Sequence, residues 1–293
     1  MGGDVSLASD FKITQIKRGP YFDMKASHIH QMHEIYYLRD GTRKMFFDDS
    51  IYLLHGGDLV FIPMNTIHKT SHINDGTHER IAITFGDTYL PDLKHSVSGL
   101  SFQEIFYSEP VMHFSGVERE NIEAFMNKLL WEYEQPDDFS QMMICSCLQE
   151  LLVCLIRHKH YKRGEYVQDI DTADQLMQKA ARYIRSSYRE DIDLASIARV
   201  VNLSPSYLSK KFKASTGFGY REYLVLVRVQ AASVMLLETN KSISEIALAC
   251  GFRDSNYFGD AFKREKGVSP SAYRKNNNDT PSPAVQDGIP RRD

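Results

Sequence analysis

Cysteine is scarce in this chain, and what there is sits badly for chemistry. The four residues Cys145, Cys147, Cys154 and Cys250 contain no C-x-x-C pair. Three of them fall in one apolar helical stretch, where thiols behave as small buried hydrophobes, which argues against disulfides and against a zinc finger. A long hydrophobic run is also missing, and Met1 to Asp10 lacks the basic region and apolar core of a secretion signal. The expected location is therefore the cytoplasm, with no membrane partner. No charge sign is in excess overall: 35 Lys and Arg face 38 Asp and Glu, for a net charge of −3. With 42% hydrophobic and 25% charged residues over 293 positions, general disorder is excluded and two domains of ordinary size are expected.

The even balance hides an uneven distribution. Residues 1–173 carry 16 basic against 25 acidic groups, and residues 174–293 carry 19 against 13. A polyanion-binding module joined to an acidic sensing or dimerising module would produce that split. Short β-rich runs separated by Gly, Asp and Asn turns occupy Ile35 to Phe85 and predict a sandwich or small barrel. From Glu118 the apolar spacing becomes helical. Ile122, Phe125 and Leu129 lie on one amphipathic helix, and Ile144, Leu148, Leu151, Leu152 and Leu155 on a second. Residues 163–173 read as a linker, and the Asn-, Pro- and Asp-rich residues 276–293 as a disordered tail.

The helical C-terminal third contains a repeat. Tyr207, Leu208, Phe212, Lys213 and Gly217 recur 50 residues later as Tyr257, Phe258, Phe262, Lys263 and Gly267, whereas Ile197-Ala198 recurs 49 residues later as Ile246-Ala247. Each copy has the punctuation of two short helices joined by a tight turn. In the first, Asp193 starts a helix, Asn202-Leu203 turns the chain, and Ser204 caps a helix that Pro205 begins. In the second, Ser242 and Glu245 form a capping box, and Gly251 supplies the left-handed residue that stops the helix. Ala198 and Ala247 are small because crossing helices approach closely there. Between the copies, Tyr220 to Glu238 contains neither Pro nor Gly and carries Leu224, Val227, Ala231 and Val234 on one stripe. Such a helix is a stiff spacer, and reading helices about 34 Å apart can enter successive major grooves.

These residues are similar to the AraC/XylS family of transcription regulators. The matching text is Leu203-Ser204-Pro205-Ser206-Tyr207-Leu208 with Phe212-Lys213, then Gly251-Phe252, Ser255-Asn256-Tyr257-Phe258, Phe262-Lys263 with Gly267, and Ser269-Pro270 with Tyr273-Arg274. Leu208, Phe212, Phe258 and Phe262 are core, so their helical complements face the groove. Those are Ser206, Ser209 and Lys210 in the first unit and Ser255, Asn256 and Gly259 in the second. Lys210 suits guanine O6 and N7, and Asn256 suits adenine. Lys211, Lys213, Lys263, Arg264 and Lys266 read as phosphate contacts, which position without specifying. Asp260 faces the duplex as a carboxylate and would weaken the second unit or accept from cytosine N4.

Toward the N-terminus, His28-x-His30-x-x-x-Glu34 followed by Gly41, and Gly57 followed by Pro63 and His68, resemble the two motifs of the cupin barrel, with Asn65 where glycine is usual. The resemblance implies that His28, His30, Glu34 and His68 point into the barrel, as an effector pocket or as ligands for a divalent metal. No other cofactor is required. The expected fold is mixed: an all-β cupin barrel with accessory helices for effector binding and dimerisation over residues 1–162, and an all-α DNA-binding domain with two helix-turn-helix units and a linker helix over 174–275. His33 and His72 read as incidental surface or rim residues.

The family implies a sequence-specific regulator, expected to be an activator, controlled by a sugar or related metabolite. Its partners are double-stranded promoter DNA, a small-molecule effector, a second copy of the chain and RNA polymerase. The rival reading is a metal-dependent cupin isomerase or dioxygenase fused to a DNA-binding module. It lacks any further acid–base constellation, so an enzyme is not expected. From the charge split, the fragment Ala173 to Lys275 should bind DNA with a steep inverse dependence on salt. Equal affinity in low and physiological salt would remove the phosphate contacts.

Overall fold

The computed structural model describes residues 7–19, 32–73, 76–90, 106–107, 109–161 and 170–278. The chain divides into two compact units, one comprising Met1–Tyr183 with Leu194–Tyr220, the other Ile184–Asp193 with Arg221–Asp293. The first bihelical unit thus belongs with the sheets. Most of the expected linker and tail, residues 163–169 and 279–293, lies outside the described residues.

Among the described residues, eight strands lead the first unit: β1 (Phe11–Arg18), β2 (His33–Asp40), β3 (Thr42–Phe47), β4 (Ser50–His55), β5 (Asp58–Ile62), β6 (His68–Ser71), β7 (His78–Phe85) and β8 (Val111–His113). They form two ladders, a five-stranded sheet in the order β1-β7-β2-β5-β8 and a three-stranded sheet in the order β4-β3-β6. The expected barrel is therefore not formed: the two ladders keep their own edges and do not close on each other. Motif spacing places turns and glycines, which an open sandwich and a barrel share. Closure depends on pairing between strands far apart in sequence, and that pairing is absent among the described residues.

Strand alternation builds the layers. Ile35 and Tyr37 of β2, Leu59 and Phe61 of β5, and Ile81 and Ile83 of β7 turn one way, into a core shared with α1 (Gly116–Glu134) and α2 (Ser140–Tyr161). Tyr36, Leu38, Val60 and Ile62 turn the other way and meet Met45, Phe47, Tyr52 and Leu54 of the small sheet. Burial on both faces explains why β2 and β5 read as unbroken apolar runs. By length and composition α2 would also suffice to cross a membrane, contrary to the expectation that no stretch approaches that length. Its Ile144, Leu148, Leu151, Leu152 and Leu155 are packed in the protein core instead. Trp131 of α1 is 61% exposed.

Among the described residues, seven further helices follow: α3 (Thr172–Ser186), α4 (Leu194–Val201), α5 (Pro205–Thr216), α6 (Tyr220–Glu238), α7 (Ile243–Ala249), α8 (Ser255–Lys266) and α9 (Pro270–Asn278). The core of the second unit gathers Val229, Ala232 and Leu236 of α6 with Ile246, Ala247, Phe258, Phe262 and Tyr273. The buried stripe of α6 thus runs through Val229 and Leu236, and Val234 is exposed.

Left-handed backbone marks both bihelical turns. Asn202 has φ 54° and Gly251 φ 83°, positions 49 residues apart. Asn is the side chain that best tolerates this region, but a Cβ on Gly251 would lie 2.7 Å from the Tyr188 carbonyl oxygen. Gly251→Ala should therefore cost more than ~1 kcal/mol of stability, beyond the usual backbone penalty, whereas Asn202→Gly should change it by less. Urea denaturation monitored by circular dichroism checks both, and a Gly251→Ala variant as stable as the parent would contradict the close approach.

Candidate nucleic-acid interface and effector site

Each bihelical unit is held by local chemistry. The α5 N-cap is Ser204, whose Oγ accepts the Tyr207 N–H at 3.3 Å, with Pro205 at the first helical position. Its counterpart in the second copy is Asp254, which accepts the N–H groups of Asn256 at 2.7 Å and Tyr257 at 3.3 Å before α8. Such caps contribute about 1 kcal/mol each. The Ser242–Glu245 capping box forms as expected ahead of α7, and its hydrogen bonds to Ser242 hold the Glu245 carboxyl below the usual carboxylate range. Gly217 and Gly267 end α5 and α8 in the left-handed region, φ 82° and 75°. Backbone bonds repeat as well: Leu203 N–H to Ala198 O and Phe252 N–H to Ala247 O, both 3.0 Å. The extra residue of the second copy is therefore Arg253, which pairs with Asp191.

The anchors Leu208, Phe212, Phe258 and Phe262 are buried, and Ser206, Ser209, Lys210, Ser255 and Asn256 are exposed on the opposite side of their helices. Gly259 is half-buried, with open space where a Cβ would stand. Lys213, Lys263 and Arg264 are exposed, as is Asp260. Two of the expected phosphate contacts sit differently. Lys266 is buried, and burial lowers its ammonium to about 8. Lys211 is half-buried, its Nζ 3.8 Å from Oδ1 of Asp174.

Asp174 is a residue that sequence reasoning did not single out. It stands in the first turn of α3, where its N–H donates to the Asp171 carboxylate at 2.6 Å, and that bond holds the Asp171 carboxyl low. The Asp174 side chain is 3% exposed and is met by Lys44 of β3 at 2.5 Å as well as by Lys211 of α5. Around this centre the small sheet makes further contacts with α3 and with the first bihelical unit. Lys69 Nζ donates to the Gly217 carbonyl at 2.7 Å and stands 5.1 Å from the Phe218 ring centroid. Phe46 packs edge-on to Phe218 at 5.8 Å. The Ile51 N–H donates to Gln178 Oε1 at 3.0 Å.

The opposite face of the small sheet looks into the space between the sheets. There His68 Nε2 approaches Glu34 Oε2 at 3.4 Å, and His68 Nδ1 lies 2.9 Å from the Thr66 carbonyl. The structure thus brings together two of the four expected pocket residues, while His28 and His30 lie outside the described residues. Both motif glycines occupy backbone that a side chain would strain: Gly41 has φ 91° with the Thr77 carbonyl 2.5 Å from an ideal Cβ, and Gly57 has φ 99° with Phe114 O at 2.6 Å. Asn65, where glycine is usual, takes φ 64°. Among the described residues no group of three or more His, Cys, Asp or Glu is arranged to hold a metal. His33, expected at the surface or rim, is buried between Phe61 and Phe85; its Nδ1 accepts the Met64 N–H at 3.3 Å and its Nε2 reaches Asp87 at 3.0 Å. His72 is half-buried.

Sheets carrying polar groups on an enclosed face, followed by two capped bihelical units with exposed polar reading faces, define a DNA-binding regulator with an attached sensing module. Residues 13–165 match the model of the AraC-like ligand binding domain and residues 197–276 that of a helix-turn-helix domain. The chain belongs to the AraC/XylS family and is a sequence-specific DNA-binding regulator of that type. It is similar to the HTH-type transcriptional activator RhaS of an Enterobacter species, 26% identical over 85% of this chain and 87% of the relative. It is also similar to the HTH-type transcriptional activator RhaR of Salmonella dublin, 27% identical over 86% and 88%. Among solved structures, apo ToxT from Vibrio cholerae aligns over 92% of this chain and 98% of its own, with 15% identity and a TM-score of 0.41.

Alanine at Asn256 should cost about 1–3 kcal/mol of discrimination at one base pair, read as relaxed preference there in a binding-site selection. Alanine at Lys263 should weaken all sequences alike and lower the salt slope by about one. The reverse pattern would exchange their roles.

Proposed function

We propose that this chain is a ligand-responsive transcription activator in which a small molecule between the two sheets is sensed by the first bihelical unit through the three-stranded sheet. One observation carries this reading: the small sheet has two working faces. Arg43, Met45 and Phe47 of β3 turn toward the space between the sheets, and Lys44 and Phe46, alternating with them, turn to Asp174 and Phe218. A ligand that shifts β3 on one side must disturb the lysine–Asp174 contacts on the other, because successive side chains share one backbone. It shifts the equilibrium only by the difference in its affinity for the docked and released arrangements.

In this reading Lys211 is shared between Asp174 and a DNA phosphate, so docking and DNA binding compete. Ser206, Ser209, Lys210, Ser255, Asn256 and Gly259 read bases, and Lys213, Lys263 and Arg264 join Lys211 on phosphates. Activation is supported by the similarity to the transcriptional activators RhaS and RhaR. A cytoplasmic homodimer that contacts RNA polymerase completes the proposal. Its dimer face is the surface around the α1–α2 connection, where Trp131 of α1, Phe139 of the connection and Met142 of α2 are exposed. A second reading of the sensing site, a divalent metal held by His28, His30, Glu34 and His68, is favoured by the approach of His68 to Glu34. Metal analysis of the purified protein separates the two.

Asp174→Asn should raise the DNA affinity of the ligand-free protein by roughly 5- to 100-fold, the range of an ordinary coupling free energy. The Lys44→Asp, Asp174→Lys double substitution should partly restore the parent value. Fluorescence anisotropy on sites found by genome-wide footprinting measures both. Unchanged affinity in Asp174→Asn would rule out the sheet as the coupling element.

A further inference from the structure

The face between the sheets is polar at both ends: Arg43, His78 and Arg80 gather toward one and Glu34 with His68 toward the other, and the buried Asp58 shares it by alternation with Val60 and Ile62. Register puts Arg80 directly opposite Leu38, and His68 opposite Phe47. Leu38 and Phe47 belong to the core between the sheets, so Arg80 and His68 share that face. Arg43 lies on it by alternation with Met45 and Phe47, and His78 by alternation with Arg80. Arg43 and His78 are each 3% exposed. The Arg80 guanidinium stands over the Tyr36 ring, 5.5 Å from its centroid. Burial, followed by the charges of Arg43, Arg80 and Arg18, lowers His78 to about 4. At neutral pH its imidazole is thus an uncharged hydrogen-bonding group surrounded by guanidiniums.

We propose that the space between the sheets is built for a small hydroxylated anion, whose charged oxygens are received by Arg43 and Arg80 and whose hydroxyls meet Tyr36, His78 and the Glu34–His68 pair. This rests on the proposed ligand-responsive function and adds the chemical class of the ligand. Like charges converging on a buried face repel, and the repulsion is strong where water is excluded. An anionic oxygen pair relieves it and matches the planar guanidinium fork, which a neutral sugar does not. Carboxylate and phosphate share this chemistry. The neutral imidazole and the phenol are suited to hydroxyls because each can both donate and accept.

The test uses the full-length protein with D-glucuronate, D-glucose 6-phosphate and D-glucose as probes, inorganic phosphate and acetate as simple anions, and chloride to hold ionic strength constant. Thermal melting and calorimetry follow binding. The anionic probes should stabilise the parent while D-glucose does not, and the stronger of D-glucuronate and D-glucose 6-phosphate identifies the anionic group. Arg43→Gln and Arg80→Gln, checked for folding by circular dichroism, should each lose tenfold or more in that affinity, a change of about 1.4 kcal/mol. Arg43→Lys and Arg80→Lys, which keep the charge but lose the fork, should fall between.

Equal stabilisation of parent and glutamine variants by the anions, or no stabilisation of the parent by any anion, overturns the proposal. So does D-glucose binding that the variants retain. DNA affinity measured in the same samples keeps the two readings apart. If Asp174→Asn changes DNA affinity while no anion binds, the coupling survives and the ligand class fails; if an anion binds but DNA affinity never responds, the ligand class survives and the coupling fails.

Discussion

Asp174 is a carboxylate almost wholly removed from water, and a buried charge is tolerated only beside compensating groups. Its two partners come from different parts of the fold, Lys44 from the small sheet and Lys211 from the second helix of the first bihelical unit. Removing either leaves a charge poorly compensated in a region of low dielectric constant. That constraint ties α5 of the first bihelical unit to the position of one strand. The remaining contacts, Lys69 on the Gly217 carbonyl and Phe46 against Phe218, orient the same surface.

Strand β3 is covered on both sides. Alternation sends Arg43, Met45 and Phe47 one way and Lys44 and Phe46 the other, and a protein interior packed at crystal-like density does not absorb displacement locally. The five-stranded sheet is built on the same principle, with α1 and α2 on its far face. The first unit is thus a stack of layers in which each inner strand serves two cores. A closed barrel would have turned one face of every strand to a single interior and left the other to whatever covered it from outside.

The legible features of the sequence were those with local causes. Helix caps, the proline at the start of α5, the capping box at Ser242 and the left-handed Asn202 and Gly251 all depend on residues within a few positions of one another. Hydrophobic spacing placed α1, α2 and the interior strands for the same reason. What was missed was long-range: β1, β6 and β8 are short or weakly apolar and exist because partners distant in the chain complete their ladders. His33 looked incidental because nothing nearby in sequence announces Asp87 or the rings of Phe61 and Phe85. Lys266 looked like a phosphate contact because basic residues crowd the end of α8, and only packing shows that its side chain is buried.

By itself the sequence determined the family, the duplicated bihelical reader and the polarity of its exposed face, since a repeat, a cap and a helical stripe are written in short-range order. Tertiary structure decided that the sheets stay open, that Lys211 faces a carboxylate, and that Arg43, His78 and Arg80 share one enclosed face. Those outcomes follow from strand register and layer stacking, which bring together residues from distant parts of the chain, and short-range spacing carries no information about such pairings.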